Sequence, residues 1–433
     1  MDIGGTFTDL CIAGPDGIVA IGKALGTPAA PAQSVENVLR DAPRHELSQV
    51  VHATTLVTNA LIERKGAKVA LLATQGFRDV LELARERRPD IYRLDVWRPE
   101  PLVPRHLRFD VTERTLADGT VEQPLDEAEV EALARELAER GIEAIAVCFL
   151  HSFTNPANEQ AARAAIERAA PQLRVALSSE VAPEIREYER TQTTAASVYV
   201  QDRVVRYLED LEQRLAALGA PDRLRVMLSN GGVATAQDAA ERPIRMLESG
   251  PAAGALAAAR FAGANGFTDL MSFDMGGTTA KLCLIEDGRP LVTHEFEAAR
   301  TDRFTRGSGL PIKTPTIDMI EIGVGGGSLA HVDTLGLLAC GPESAGADPG
   351  PACYGGGGTR PTVTDADLVL GYLDPGFFLG GEMTLDVEAA RAAIRTHIAE
   401  PLKLSVEEAA WGIHRLVNED MASAARVHAA ERG

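Results

Sequence analysis

One eight-residue pattern occurs twice in this chain and governs what it can fold into. Asp2-Ile3-Gly4-Gly5-Thr6-Phe7-Thr8-Asp9 returns as Asp274-Met275-Gly276-Gly277-Thr278-Thr279-Ala280-Lys281. Each copy is followed by an apolar run (10–13 and 282–285), an Asp-Gly pair (Asp16-Gly17 and Asp287-Gly288) and a second apolar run (18–21 and 291–293). Asp-Gly between apolar runs marks a hairpin. Both copies therefore predict strand, Gly-Gly-Thr turn, strand, tight turn, strand. A unit duplicated with the same polar corner predicts two such turns facing each other across a cleft.

The residue types at that corner suit phosphate. Paired glycines leave the turn without Cβ atoms, so successive N–H groups can converge on an anion. The threonine hydroxyl adds a donor. The aspartate that ends the preceding strand points into the cleft, where it can hold Mg²⁺ directly or through water. A metal ion and backbone N–H groups are the usual means of stabilising charge in phosphoryl transfer. Asp2 and Asp274 are thus the candidate metal-organising, catalytic acids. Gly4, Gly5, Thr6, Gly276, Gly277, Thr278 and Thr279 are candidate nucleotide contacts.

At 433 residues the chain calls for two or three domains. We place a first domain at 1–180 and a second at 181–433. The net charge of −19 sets the surface against nucleic acid and anionic membranes. A bound nucleotide must then rely on local N–H groups and a metal. Five scattered cysteines without a Cys-x-x-Cys pair point to reduced thiols and a cytoplasmic setting. No apolar run is long enough for a membrane span, and no Walker-type, His-Glu-x-x-His or Gly-x-Ser-x-Gly motif is present.

Along the chain, residues 31–42 read as a helix. A strand at 50–53 runs into a hydroxyl-rich patch where a helix starts. Thr54, Thr55 and Asn59 there either cap free N–H groups or face the substrate. Strands at 68–73, 142–150 and 173–177 alternate with helices at 126–140 and 156–170, which is an α/β layer. Residues 110–122 read as a hairpin. Residues 183–218 form the longest helical stretch and a connector between domains, and its charges read as a solvated face. Arg85, Arg87 and Arg88 read as a solvated basic patch. Gly325-Gly326-Gly327, after a strand at 317–324, suggests a further ligand-side turn. Residues 341–358 read as loop, with Cys353 a buried thiol rather than a metal ligand with His331 or Asp348. Helices are expected at 386–399 and 405–430. The first strand lacks the apolar lead-in that the second copy has at 270–273, and the chain closes on a helix; we expect truncation at both ends.

The paired turns resemble the two phosphate loops of the actin, sugar-kinase and Hsp70 superfold, an α/β fold of duplicated domains with mixed sheets and a cleft between them. More closely, the chain resembles the hydantoinase A and 5-oxoprolinase family, which includes subunits of acetone and acetophenone carboxylases. The likeness is carried by residues 2–9, 54–61, 186–194, 249–254, 274–279, 322–330, 341–354 and 361–367. It implies an enzyme that uses ATP and Mg²⁺ (or Mn²⁺) to phosphorylate the carbonyl oxygen of a small cyclic amide or imide. Water then attacks the activated carbon, with a hydantoinase B-type subunit completing the site of an oligomer. The alternative within the family is a ketone carboxylase subunit; outside it, a non-catalytic nucleotide-binding module. Lys281 stands where the first copy has Asp9 and where hydantoinase-like relatives often carry an acid. Lys281 is thus a candidate phosphate contact that tilts the reading toward carboxylases, and Asp9 a candidate base or substrate-orienting acid. The similar proteins also carry a C-terminal glycine-rich strand and loop near the adenosine, beyond where this chain stops.

Overall fold

The computed structural model describes residues 1–4, 7–25, 31–40, 47–86, 92, 99–300 and 307–432. Gly5, Thr6, Arg87 and Arg88 lie outside them. The first copy forms β1 (Asp2–Ile3), β2 (Phe7–Gly14) and β3 (Gly17–Leu25). Helix α1 (Pro31–Arg40) packs beneath them, and β4 (Val50–Thr54) runs parallel to β1. Helix α2 (Leu56–Ile62) follows at once.

The chain then builds a parallel layer. Its strands are β5 (Val69–Thr74), β6 (Arg108–Val111), β7 (Ala144–Cys148) and β8 (Arg174–Leu177), in the order β8-β7-β5-β6. Strands β5 and β7 are buried at every residue, as parallel strands with covered faces must be. Helices α3 (Glu127–Glu139) and α4 (Ala157–Ala169) cover the layer. Asp126 caps α3 through the Glu129 N–H, and Gly141 ends it at φ 71°. The expected hairpin in 110–122 forms between Arg114–Thr115 and Val121–Gln123.

Helix α5 (Glu187–Ala217) is 31 residues long and buries one flank against β5, β7 and β8. Glu184 and Arg186 are exposed as expected, whereas Glu189 and Arg190 depart from the expected solvated face. Arg190 is fully buried. Its guanidinium donates to the Phe149 carbonyl at 2.8 Å, to Ser178 Oγ at 3.1 Å and to Ser152 Oγ. Buried Glu189 takes Arg85, which also reaches Glu295 at 2.5 Å, so Arg85 is a tie rather than a solvated cation. Periodicity cannot distinguish a charged solvent face from a buried, fully paired one.

Next come β9 (Leu224–Met227), β10 (Val233–Thr235) and α6 (Ser249–Ala264). Strands β9 and β10 complete the first mixed sheet, ordered β10-β9-β4-β1-β2-β3. The second copy forms β11 (Leu270–Met275) and β12 (Ala280–Glu286). Its turn at Asp287-Gly288 has φ 50° and 72°, the mirror-type turn the pair favours. The third strand differs from expectation. Only β13 (Arg289–Pro290) pairs with β12, and Val292–Thr293 pairs with Thr316–Ile317 instead. The Leu291 N–H still reaches the Leu284 carbonyl at 3.2 Å before the chain takes that second partner.

Strand β14 (Met319–Ile322) joins β12, and a two-stranded ribbon of β15 (Ser328–Val332) and β16 (Leu338–Ser344) follows. Residues 341–358 are thus partly strand, and the rest is pinned by one buried carboxylate. Asp365 accepts the N–H groups of Ala352, Cys353 and Thr362 at 3.2, 2.8 and 2.8 Å. Asp365 also forms a capping box with Thr362 at the start of α7 (Val363–Val369). Helices α8 (Val387–Ile394), continuing as a π turn to Ala399, and α9 (Val406–Ala430) finish the second core. Cys353 is a buried thiol that burial pushes well up. No group of three metal-binding side chains occurs among the described residues, nor any helix long and apolar enough to cross a membrane.

Replacing Arg190 with Ala strands Ser152, Ser178 and the Phe149 carbonyl in a dry interior. Urea denaturation should register a loss of about 3 kcal/mol or more.

Candidate functional site

The two copies superpose in their bonding. In each, the N–H of the first glycine closes the turn onto the carbonyl three residues on: Gly4 to Phe7 and Gly276 to Thr279, both at 2.9 Å. In each, the leading acid lies directly across the ladder from the residue seven positions later, Asp2 from Asp9 and Asp274 from Lys281. Among the described residues, no protein acceptor meets the N–H groups of Gly277 and Thr278. These donors are open to an anion at the exposed corner of the second turn.

Helix α6 brings the copies together. Ser249 Oγ accepts the Thr54 N–H at 3.0 Å and donates to the Thr54 carbonyl at 3.0 Å. Gly250 lies so close to the first turn that a Cβ there would stand 2.6 Å from Asp2 Oδ1. The body of α6 packs on the second copy through Ala252 and Ala255 against Cys283 and Ile285. One helix thus touches both copies, and its glycine is required by the close approach to Asp2.

The electrostatics identify the centre. Burial pushes the Asp2 carboxyl up to about 6, and the negative charges of Asp9 and Asp274 add to the effect. Asp2 Oδ1 is buried without a hydrogen-bond partner. An orphaned carboxylate oxygen beside a second acid fits a divalent cation. Two carboxylates supply only part of a coordination shell, which suits Mg²⁺ completed by phosphate oxygens and water.

Lys281, expected as a phosphate contact, is engaged by two acids. Its ammonium bonds Glu248 Oε2 and lies 3.8 Å from Glu321 Oε1. Burial works to lower its pKa, but the two carboxylates outweigh burial and hold it above the ordinary lysine value. Burial, then Glu248, pushes Glu321 up. Neither glutamate was among the residues expected from sequence. Each had a signal: Glu248 is a single acid between Leu247 and a Ser-Gly-Pro helix start, and Glu321 interrupts the apolar run of β14.

Other expected residues take supporting places. Asp9 is exposed and ion-paired with Lys23 at 2.6 Å. Gly325, Gly326 and Gly327 lie behind the second turn, and their N–H groups are engaged by Ser328 Oγ, the Gly276 carbonyl and the Gly277 carbonyl. They brace the turn rather than offer donors to a nucleotide. Thr54 is buried, with Oγ1 accepting the Leu56 N–H at 3.1 Å, whereas Thr55 and Asn59 are half-buried and bonded to each other at 3.2 Å. A cavity of about 600 Å³ opens apart from the turns, where Arg85 and Tyr188 meet Glu295 and Arg300. Arg300 at its rim acts electrostatically on Glu321.

Two family models match the chain, "Hydantoinase/oxoprolinase N-terminal region" over residues 1–170 and "Hydantoinase/oxoprolinase" over 190–433. Caprolactamase subunit alpha of Pseudomonas jessenii is 40% identical over all of this chain and 63% of its own length. The acetophenone carboxylase gamma subunit of Aromatoleum aromaticum is 35% identical over all of the chain and 61% of its own. Among solved structures, nucleotide-free acetone carboxylase superposes with a TM-score of 0.86 at 30% identity, over all of this chain and 62% of that one. ATP-dependent caprolactamase from Pseudomonas jessenii gives 0.75 at 40%, over 98% and 62%. These matches show the actin-like α/β fold. The chain spans less than two thirds of the length of these relatives.

Two outcomes follow from the geometry. A Cβ on Gly325 would stand 2.6 Å from the Gly276 carbonyl oxygen, so Gly325→Ala should displace the second turn and cost about 1–3 kcal/mol in urea denaturation. Asp2 has a folded-state pKa above its unfolded value, so its contribution to stability is present at low pH and lost as pH rises through about 6. Urea midpoints compared at about pH 5 and about pH 7.5 should show that slope, and Asp2→Asn should flatten it.

Proposed function

The chain belongs to the hydantoinase/oxoprolinase family, and on that premise we propose that it is the ATP-using part of a lactam-ring hydrolase. The observation that carries the reading is the pair of identically closed turns, with Asp2 and Asp274 in electrostatic contact between them. The N–H groups of Gly277 and Thr278 bind phosphate oxygens. Asp2 and Asp274 hold Mg²⁺, which neutralises phosphate charge when bound. Helix α6, anchored on Thr54, fixes the distance between the turns. The lactam carbonyl oxygen forms a bond to the γ-phosphorus as the bond to ADP breaks. Water then adds to the activated ring carbon, the ring C–N bond breaks with its electron pair and a proton passing to nitrogen, and a second water releases inorganic phosphate from the acyl phosphate that remains. A hydantoinase B-type companion supplies the water-activating half.

A second reading has support of its own. Lys281 in place of an acid and the likeness to acetone carboxylase favour phosphorylation of an enolised ketone followed by carboxylation.

ATP turnover should be measured with lactams, hydantoins and ketones, with and without companion subunit and bicarbonate. Lactam-dependent ADP release independent of bicarbonate is expected; strict bicarbonate dependence would replace the first reading by the second. Asp274 is exposed, so Asp274→Asn should lower kcat by about a hundredfold while changing stability by no more than about 0.5 kcal/mol.

A further inference from the structure

Lys281 occupies the register position that Asp9 holds in the first copy. Asp9 sits exposed at the surface with Lys23, whereas Lys281 is buried against Glu248. Glu248 is itself unusual. It is buried, it adopts a left-handed conformation at φ 57°, and its Oε1 has no hydrogen-bond partner. Each of these features is unfavourable for a non-glycine acid. They persist because the backbone on either side is fixed. The Glu248 N–H bonds Thr58 Oγ1 at 3.4 Å, and the next residue is the Ser249 that locks onto Thr54. The sequence thus holds a carboxylate in a costly place, with Oε2 on a lysine and Oε1 unpartnered. That lysine acts electrostatically on both Asp2 and Asp274.

We infer that Glu248 is a positioning residue that holds the Lys281 ammonium back from the phosphate side, so that the pair sets how tightly the second turn grips nucleotide. Lys281 is buried, ion-paired with Glu248 and opposite Asp274, within the strand that begins directly after the turn. Freed from Glu248, the ammonium is left between Asp274, across the ladder, and a phosphate bound at the adjoining Gly277-Thr278 turn. Held by Glu248 and Glu321, it supplies positive potential without a direct bond. ADP therefore leaves more easily than it would from an unpaired lysine. The charge balance is local: Glu248 offsets the ammonium charge beside the turn. That pairing weakens ground-state phosphate binding.

The inference rests on the nucleotide site proposed above, and it makes the two partners of one ion pair act in opposite directions. Calorimetric titration of the full chain with ATP, with Mg²⁺ and separately in EDTA, reads this without turnover. Glu248→Gln should tighten ATP by about tenfold, the worth of one charge-assisted hydrogen bond, and slow product release in turnover. Lys281→Met should weaken ATP by about the same factor. The double variant should lose the tightening. Glu321 is more exposed than Glu248, so Glu321→Gln tests the same direction should Glu248→Gln fail to fold, with a smaller tightening expected. A purely structural pair would weaken ATP binding in every variant, and that result overturns the inference. If the unaltered chain binds no ATP, the nucleotide reading fails, and the holding role of Glu248 fails with it.

Discussion

Ser249 and Thr54 exchange two hydrogen bonds through a single hydroxyl, which accepts one N–H and donates to the carbonyl of the same residue. The contact joins segments 195 residues apart and fixes the first turn of α6 to the end of β4. Three other relationships depend on it. Gly250 is carried against Asp2, Glu248 is presented to Lys281, and the apolar body of α6 is delivered to β12. Two hydrogen bonds are worth about 2 kcal/mol together. Their importance lies in direction, because they set the angle at which one helix meets both copies of the duplicated unit.

The second turn is fixed from behind by backbone alone. Three consecutive glycines approach it so closely that side chains at Gly325 or Gly327 would overlap the backbone of Gly276, Gly277 and Thr278. Their N–H groups hold the Gly276 and Gly277 carbonyls. That leaves the outward N–H groups of the turn as its free valence. A phosphate site needs this arrangement: carbonyls satisfied on the protein side, donors unsatisfied on the other.

Much of this was legible in the sequence, for reasons that differ by element. The duplicated unit was plain because Asp-x-Gly-Gly-Thr needs glycine at fixed places, and a repeat of fixed places is visible by inspection. Three strands of the layer, β5, β7 and β8, followed from apolar runs alternating with helices, whereas β6 enters a stretch read as a hairpin. Arg190 and Glu189 were misread because a buried ion-paired face and a solvated face share the same spacing. Glu248 and Glu321 were missed because their meaning is three-dimensional: each becomes significant only when Lys281 arrives from another strand. Gly325 to Gly327 were seen as a turn, but their use as a brace depends on a neighbour that sequence does not place. The second partner of the split third strand, Thr316–Ile317, lies too far along the chain for a hairpin pattern to place.

The brace has a mechanical corollary. Gly326 is itself held by Thr364, whose N–H and hydroxyl both bond its carbonyl at 2.8 Å, and Thr364 begins the helix that packs on α9. From the phosphate corner to the outer helices there is thus an unbroken series of backbone contacts with no slack loop between them. Cores of this density move by discrete steps rather than by gradual bending. On the nucleotide reading proposed above, a shift at the second turn would be passed to α7 and α9 rather than absorbed by a loop. Any subunit or segment resting on those helices would sense the state of the nucleotide without touching it.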